Sequence, residues 1–168
     1  MTPDNQTNRT NRFQLAIVSL ILFSLIVFLQ WKGGAYESEF GGHPDEAAHY
    51  VTGLMIRDYF ADGFPGHPKK YADNYYAHYP KVALGNWPPL FYLMQTAWTL
   101  PFGPQRTSVF LFMAVLTTAV GMVLFEFTRR RYGFSAGMIA ALLLVLAPLI
   151  QRHTSMLMTE IPIALFSF

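Results

Sequence analysis

The nineteen residues from Phe13 to Trp31, FQLAIVSLILFSLIVFLQW, carry no charge. A helix rises about 1.5 Å per residue, so this run matches the ~30 Å hydrocarbon core of a bilayer. A chain with such a segment is expected to fold around a membrane span. Arg9 and Arg12 precede it, and the tendency of positive charge to stay inside places residues 1–12 in the cytoplasm as an unstructured leader. A cleavable signal peptide is the competing reading. The apolar stretch is long for one, and no small-x-small cleavage site follows it, so a retained signal anchor fits better. Asn5 and Asn8 both begin glycosylation sequons, which a cytoplasmic leader would leave unmodified.

Composition points the same way. Hydrophobic residues make up 52% of the chain and charged residues 13%, with a mean hydropathy of +0.26, too apolar for an ordinary soluble domain. The net charge of +2 is too small for a nucleic-acid footprint. There is no cysteine, which excludes a disulfide framework, a thiolate metal site and a cysteine nucleophile. Any catalysis must rest on carboxylates, histidine, lysine, tyrosine or hydroxyls.

A second apolar run, residues 107–127, is followed by Arg129, Arg130 and Arg131, which places the connection 128–133 in the cytoplasm. Residues 134–150 return the chain outward, 151–160 form a short external loop, and 161–168 begin a further apolar segment. Leu90 to Leu100 is apolar but brief, with Pro88 and Pro89 before it and Pro101 after it. That length suits an interfacial or re-entrant helix, so residues 32–106 form one extracytoplasmic loop. A full span at Leu90–Leu100, which would invert everything downstream, is the alternative. The expected fold is all-α: the N-terminal portion of a polytopic membrane protein, with about three to four transmembrane helices and a large external loop carrying interfacial helices.

Seven of the ten acidic residues fall between Glu37 and Asp73, so the chemistry concentrates just after the first span. Gly41-Gly42-His43-Pro44-Asp45-Glu46 reads as a turn feeding a helix from about Pro44 to Gly63, with Ala47, Tyr50, Val51, Leu54 and Phe60 as its apolar stripe. Asp45 and Glu46 then sit at the positive end of the helix dipole. Acids are favoured there for stability alone. A carboxylate kept ionised at the membrane face is also a suitable base for an acceptor hydroxyl or amine, and His49 lies one turn away on the same face. The histidines show no metal-ligand spacing, and no cofactor is expected. Tyr71, Tyr75, Tyr76, Tyr79, Trp87, Phe91, Tyr92 and Trp98 suit an interfacial aromatic belt, or a platform for a sugar ring or isoprene units. Lys69, Lys70 and Lys81 read as solvated lysines, any of which can meet a lipid phosphate as a point charge.

These features occur in a telling order: one span, Pro44-Asp45-Glu46 with His49-Tyr50, then Asn86-Trp87-Pro88-Pro89-Leu90-Phe91-Tyr92, then Leu157-Met158-Thr159-Glu160-Ile161-Pro162. The order resembles the N-terminal part of glycosyltransferases of the C superfamily, in particular the dolichyl-phosphate-mannose protein mannosyltransferases and the lipid A aminoarabinose transferases. The resemblance implies a polytopic enzyme of the cell envelope, at the bacterial inner membrane, transferring a sugar with inversion from a polyprenyl-phosphate carrier to a protein, lipid or glycan acceptor outside the cytoplasm. It implies Asp45 as general base, Glu46 beside it, and Glu160 as the second acidic position. His49, Tyr50, Lys81, Trp87 and Tyr92 are the matching candidates for substrate binding. Many relatives carry a basic residue before the Pro-Pro pair, where this chain has Asn86-Trp87, which leaves the carrier phosphate to Lys81 or to a contact from elsewhere. Such enzymes are several times longer, and the chain is expected to be an inactive front portion of one. The reading from another class is a non-catalytic lipid-binding or transporter-associated subunit.

Overall fold

The computed structural model describes residues 3–83 and 85–167, with side chains from residue 11 onward. The side chains of Asn5, Asn8 and Arg9 lie outside that description, as does Phe168. Among the described residues all regular structure is helical: α1 Pro3–Lys32, a 3-10 turn Ala35–Glu37, α2 Glu46–Ala61, α3 Pro68–His78, α4 Leu90–Phe102, α5 Arg106–Tyr132, α6 Phe134–Leu146, α7 Pro148–Thr154 and α8 Glu160–Phe166. The segment preceding the first span, expected to be unstructured, continues that helix back to Pro3.

Helix α1 from Asn11 and helix α5 are long and apolar enough to cross a membrane. A third crossing exists if α6 and α7 are one span, but they bend by 64°. The bend has a local cause: Pro148 has no N–H to donate, and it forces the preceding Ala147 out of helical geometry, to φ −62 and ψ 128. Helix α4 has 13 residues, about 20 Å of rise, too little to cross ~30 Å by itself.

In α1 the buried positions Val18, Leu22 and Ile26 recur every fourth residue, a single stripe that meets Ala114 and Phe125 of α5 and Ala141 and Val145 of α6. The other faces expose Phe13, Leu20, Ile21, Phe28 and Trp31. A helix that is apolar outside as well as inside is stable against lipid rather than water. Helices α5 and α6 approach closely at Gly137, where a Cβ would come within 2.8 Å of the Phe125 carbonyl; such close backbone contact is typical of membrane helices packed through small residues.

Gln30 takes the next step of the α1 stripe. Its amide nitrogen donates to the carbonyls of Phe110 (3.0 Å) and Thr154 (2.9 Å), and its oxygen accepts from the Tyr36 hydroxyl at 2.8 Å. Thr117 Oγ1 and Thr154 Oγ1 lie 2.9 Å apart beside it. One satisfied amide thus ties α1, α5 and α7 together. A second cluster, including Phe91 and Tyr92 of α4, Val109, Met113 and Val120 of α5, and Leu157, packs α4 against α5.

Candidate functional site

Helix α2 presents a different face inward from the one its apolar residues suggest. Glu46, Ala48, His49, Thr52, Gly53 and Met55 are buried, whereas Ala47, Tyr50, Val51 and Leu54 are half-buried and Phe60 is exposed. Polar side chains can occupy the inner face because each of three finds a distant partner: Glu46 the backbone of Leu157, His49 the hydroxyl of Tyr92, and Thr52 the backbone N–H of Ala83.

The adjacent acids are used differently. Glu46 is fully buried; its oxygens accept from the N–H of Leu157 at 2.9 Å and of Gly42 at 3.1 Å. This carboxylate braces the start of α2 against the loop between α7 and α8. Asp45 occupies the N-cap position, yet its side chain makes no cap hydrogen bond and is 46% exposed. Capping, the ordinary reason for an acid here, therefore does not account for where its side chain sits. His43 Nδ1 lies 3.7 Å from the Asp45 carboxylate and accepts from the Asp45 backbone N–H at 3.3 Å. A ring nitrogen accepting in this way carries no proton, so the carboxylate has no hydrogen-bond donor there.

His49, one turn along α2, is buried with its ring centroid 4.4 Å from that of Trp87 and edge-on to Phe91 at 5.8 Å. Burial lowers its pKa below the ordinary value; the carboxylates of Asp45 and Glu160 oppose this, and His43 adds to it. Burial, then the Asp45 charge, push the Tyr92 phenol up to about 12. Tyr92 therefore stays protonated, and its hydroxyl shares a 2.9 Å hydrogen bond with Nδ1 of a neutral His49, the donor being set by the imidazole tautomer.

The sign of the His49 shift sets a pH dependence. Its pKa lies below 6.5 in the fold, so the unfolded chain takes up the proton first as the pH falls. Stability is full above about pH 6.5 and is lost below it, until the folded histidine also titrates. Thermal unfolding in detergent micelles should occur at lower temperature at about pH 5.5 than at about pH 7.5, and His49→Phe should reduce that difference. An equal difference in the variant would assign it to other groups.

Glu160 opens helix α8, with its side chain 45% exposed and 3.6 Å from Nδ1 of His153. Asp45 and Glu160 both lie close enough for their charges to act on the buried ring of His49, so the two half-exposed carboxylates mark one mouth beside it. Trp87 touches His49 and also lines an apolar groove of about 280 Å³ with Leu90, Phe91, Thr159, Pro162 and Phe166. Two expected residues lie apart from this mouth. Tyr50 stacks on Phe40 at 4.3 Å and donates to the Pro104 carbonyl at 2.8 Å, so both ring and hydroxyl are engaged in packing. Lys81 is exposed in the connection after α3, next to Val82, which packs with Met55 and Ala72. His153 escaped sequence reasoning; the available signal was the polar Gln151-Arg152-His153-Thr154 interrupting apolar sequence just before Thr159-Glu160. Among the described residues no group of three or more His, Cys, Asp or Glu is placed to hold a metal ion.

No curated protein and no solved structure matches the chain. The family described as oligosaccharyl transferase STT3, N-terminal, matches residues 55–156. That stretch contains Lys81, Trp87, Tyr92 and His153; Asp45, Glu46, His49, Tyr50 and Glu160 lie outside it. The match supports the C-type glycosyltransferase superfamily and names STT3, not the mannosyltransferases or aminoarabinose transferases. With more than half of its length matched, and with apolar helices of membrane-spanning length, this chain belongs to the oligosaccharyl transferase STT3 N-terminal family of membrane glycosyltransferases.

Proposed function

We propose that the chain forms the N-terminal, acceptor-activating part of an enzyme that transfers a glycan from a polyprenyl-phosphate type of carrier to a nucleophilic acceptor, with inversion. The family suggests a lipid-linked oligosaccharide as donor and a protein as acceptor. The observation that carries the reading is the uncapped, half-exposed Asp45 carboxylate beside a neutral buried histidine.

In the proposed step Asp45 accepts the proton of the acceptor hydroxyl or amine as that atom bonds to the anomeric carbon. The bond from that carbon to the carrier phosphate breaks, and the phosphate leaves with the electron pair. Glu160 orients the acceptor. The Trp87 groove takes the first isoprene units of the carrier, since an aromatic and apolar lining beside a polar mouth suits a chain that is apolar up to its phosphate. Lys81 or a cation elsewhere meets that phosphate. The site is extracytoplasmic, in a bacterial inner membrane.

Two measurements test the reading. Membranes containing the enzyme should consume a labelled lipid-linked oligosaccharide in the presence of an acceptor peptide and label the peptide; consumption without transfer would argue for hydrolysis or for a binding role. Single cysteines at Asn74 and Ser135 in this cysteine-free chain should differ towards an impermeant reagent, the first labelled from outside and the second protected. Labelling of both would make α4 a full span and invert the proposed topology.

A further inference from the structure

His153 is the penultimate residue of the short helix α7, and its Nδ1 is buried with no hydrogen-bond partner. A buried ring nitrogen left unpaired is costly, so its surroundings are expected to supply a partner. The Glu160 carboxylate lies 3.6 Å away, beyond the ~2.7–3.2 Å of a formed bond yet within reach of a small side-chain adjustment. Contacts in active sites are commonly long until substrate tightens them.

The loop joining these residues is fixed at its start and at its middle. The Thr154 carbonyl, next to His153, accepts from buried Gln30 at 2.9 Å, and the Thr154 hydroxyl meets that of Thr117 at 2.9 Å. Midway, Leu157 donates to Glu46. The backbone is thus held on the His153 side of the gap, and the freedom to close it lies in the half-exposed Glu160 side chain.

We propose that His153 is the positioning residue for Glu160: its Nδ1–H holds one carboxylate oxygen and leaves the other to orient the acceptor beside Asp45. This rests on the function proposed above for Glu160. The pairing also sets a tautomer, because a histidine that donates from Nδ1 has its second nitrogen free of the proton.

The tautomer can be read without any activity. With 15N-labelled histidine in micelles, at a pH where the ring is neutral, His153 should be the Nδ1–H form in the native protein and shift towards Nε2–H in Glu160→Ala. In the transfer assay, His153→Phe should lower kcat on the order of tenfold with the donor KM unchanged, the scale expected when a reacting group is slightly misplaced. His153→Asn, whose amide nitrogen stands near the place of Nδ1, should recover most of that loss. In a Glu160→Gln background His153→Phe should add nothing further. A tautomer indifferent to Glu160→Ala overturns the pairing whatever the turnover, and so do additive losses with no recovery by asparagine. A tautomer that responds, in an enzyme that keeps full turnover in both Asp45→Asn and Glu160→Gln, supports the pairing and overturns the function assigned to the mouth.

Discussion

Asp45→Asn should lower glycan transfer by about 10²- to 10⁴-fold while leaving membrane insertion and thermal stability at native levels. The first half follows from the chemistry: an amide keeps the shape of the carboxylate but cannot take the acceptor's proton, and general-base assistance is typically worth that factor. The second half follows from the geometry. The Asp45 side chain caps nothing and is 46% exposed, so neutralising it strands no buried donor. Transfer measured with a labelled lipid-linked oligosaccharide, beside an unfolding curve in micelles, separates the two. Near-native turnover would move the base elsewhere, with Glu160 next in line.

Glu46→Ala should fail in the opposite way, through the fold. Removing this carboxylate takes the acceptor from the N–H groups of Leu157 and Gly42, which lie at 2.9 and 3.1 Å. Leu157 is fully buried, so water cannot readily replace the lost acceptor. The buried Leu157 N–H alone costs about 1–3 kcal/mol when stranded, a large share of a domain's stability, while the exposed Gly42 can turn to water. Glu46→Gln retains one acceptor oxygen and should cost less. Unfolding curves for the two variants, and protease sensitivity of the 155–159 loop, measure this directly. A native unfolding temperature in Glu46→Ala would show that the brace contributes nothing. Loss of turnover in a fully stable Glu46→Gln would make Glu46, not Asp45, the base. Its fully buried position argues against that, since an acceptor would have to displace two backbone donors to reach it.

What could be read from the sequence and what could not divide along a physical line. The apolar runs at 13–31 and 107–127, the second broken only by Glu126, lie within the long helices α1 and α5, because an apolar run of that length has one stable solution in a bilayer. Residues 134–150 looked equally continuous by hydropathy, but hydropathy does not register that Pro148 lacks an N–H, and the helix breaks there. The face of α2 was assigned to its apolar residues, which is the better rule for an isolated helix. It failed because Glu46 and His49 are buried against partners 111 and 43 residues away, and such pairings leave no trace in local periodicity. The order of the motifs suggests that Asp45, His49, Trp87, Tyr92 and Glu160 belong together, whereas the hydrogen bond of Tyr50 to Pro104 and the approach of His153 to Glu160 depend on how separate segments pack and leave no local signal.

The amide of Gln30 has a mechanical consequence. Its three hydrogen bonds reach Tyr36, Phe110 and Thr154, so turning α1 by one residue, about 100° on a 3.6-residue helix, would sever all of them at once in a region with little water to replace them. The rim formed by α1, α5 and α7 is therefore an anvil rather than a hinge. Glu160 stands on a loop pinned to that rim at Thr154, and the neighbouring α2 and α4 are tied to each other by the His49–Tyr92 hydrogen bond, although Gln95 lies fully buried there with neither amide atom hydrogen-bonded.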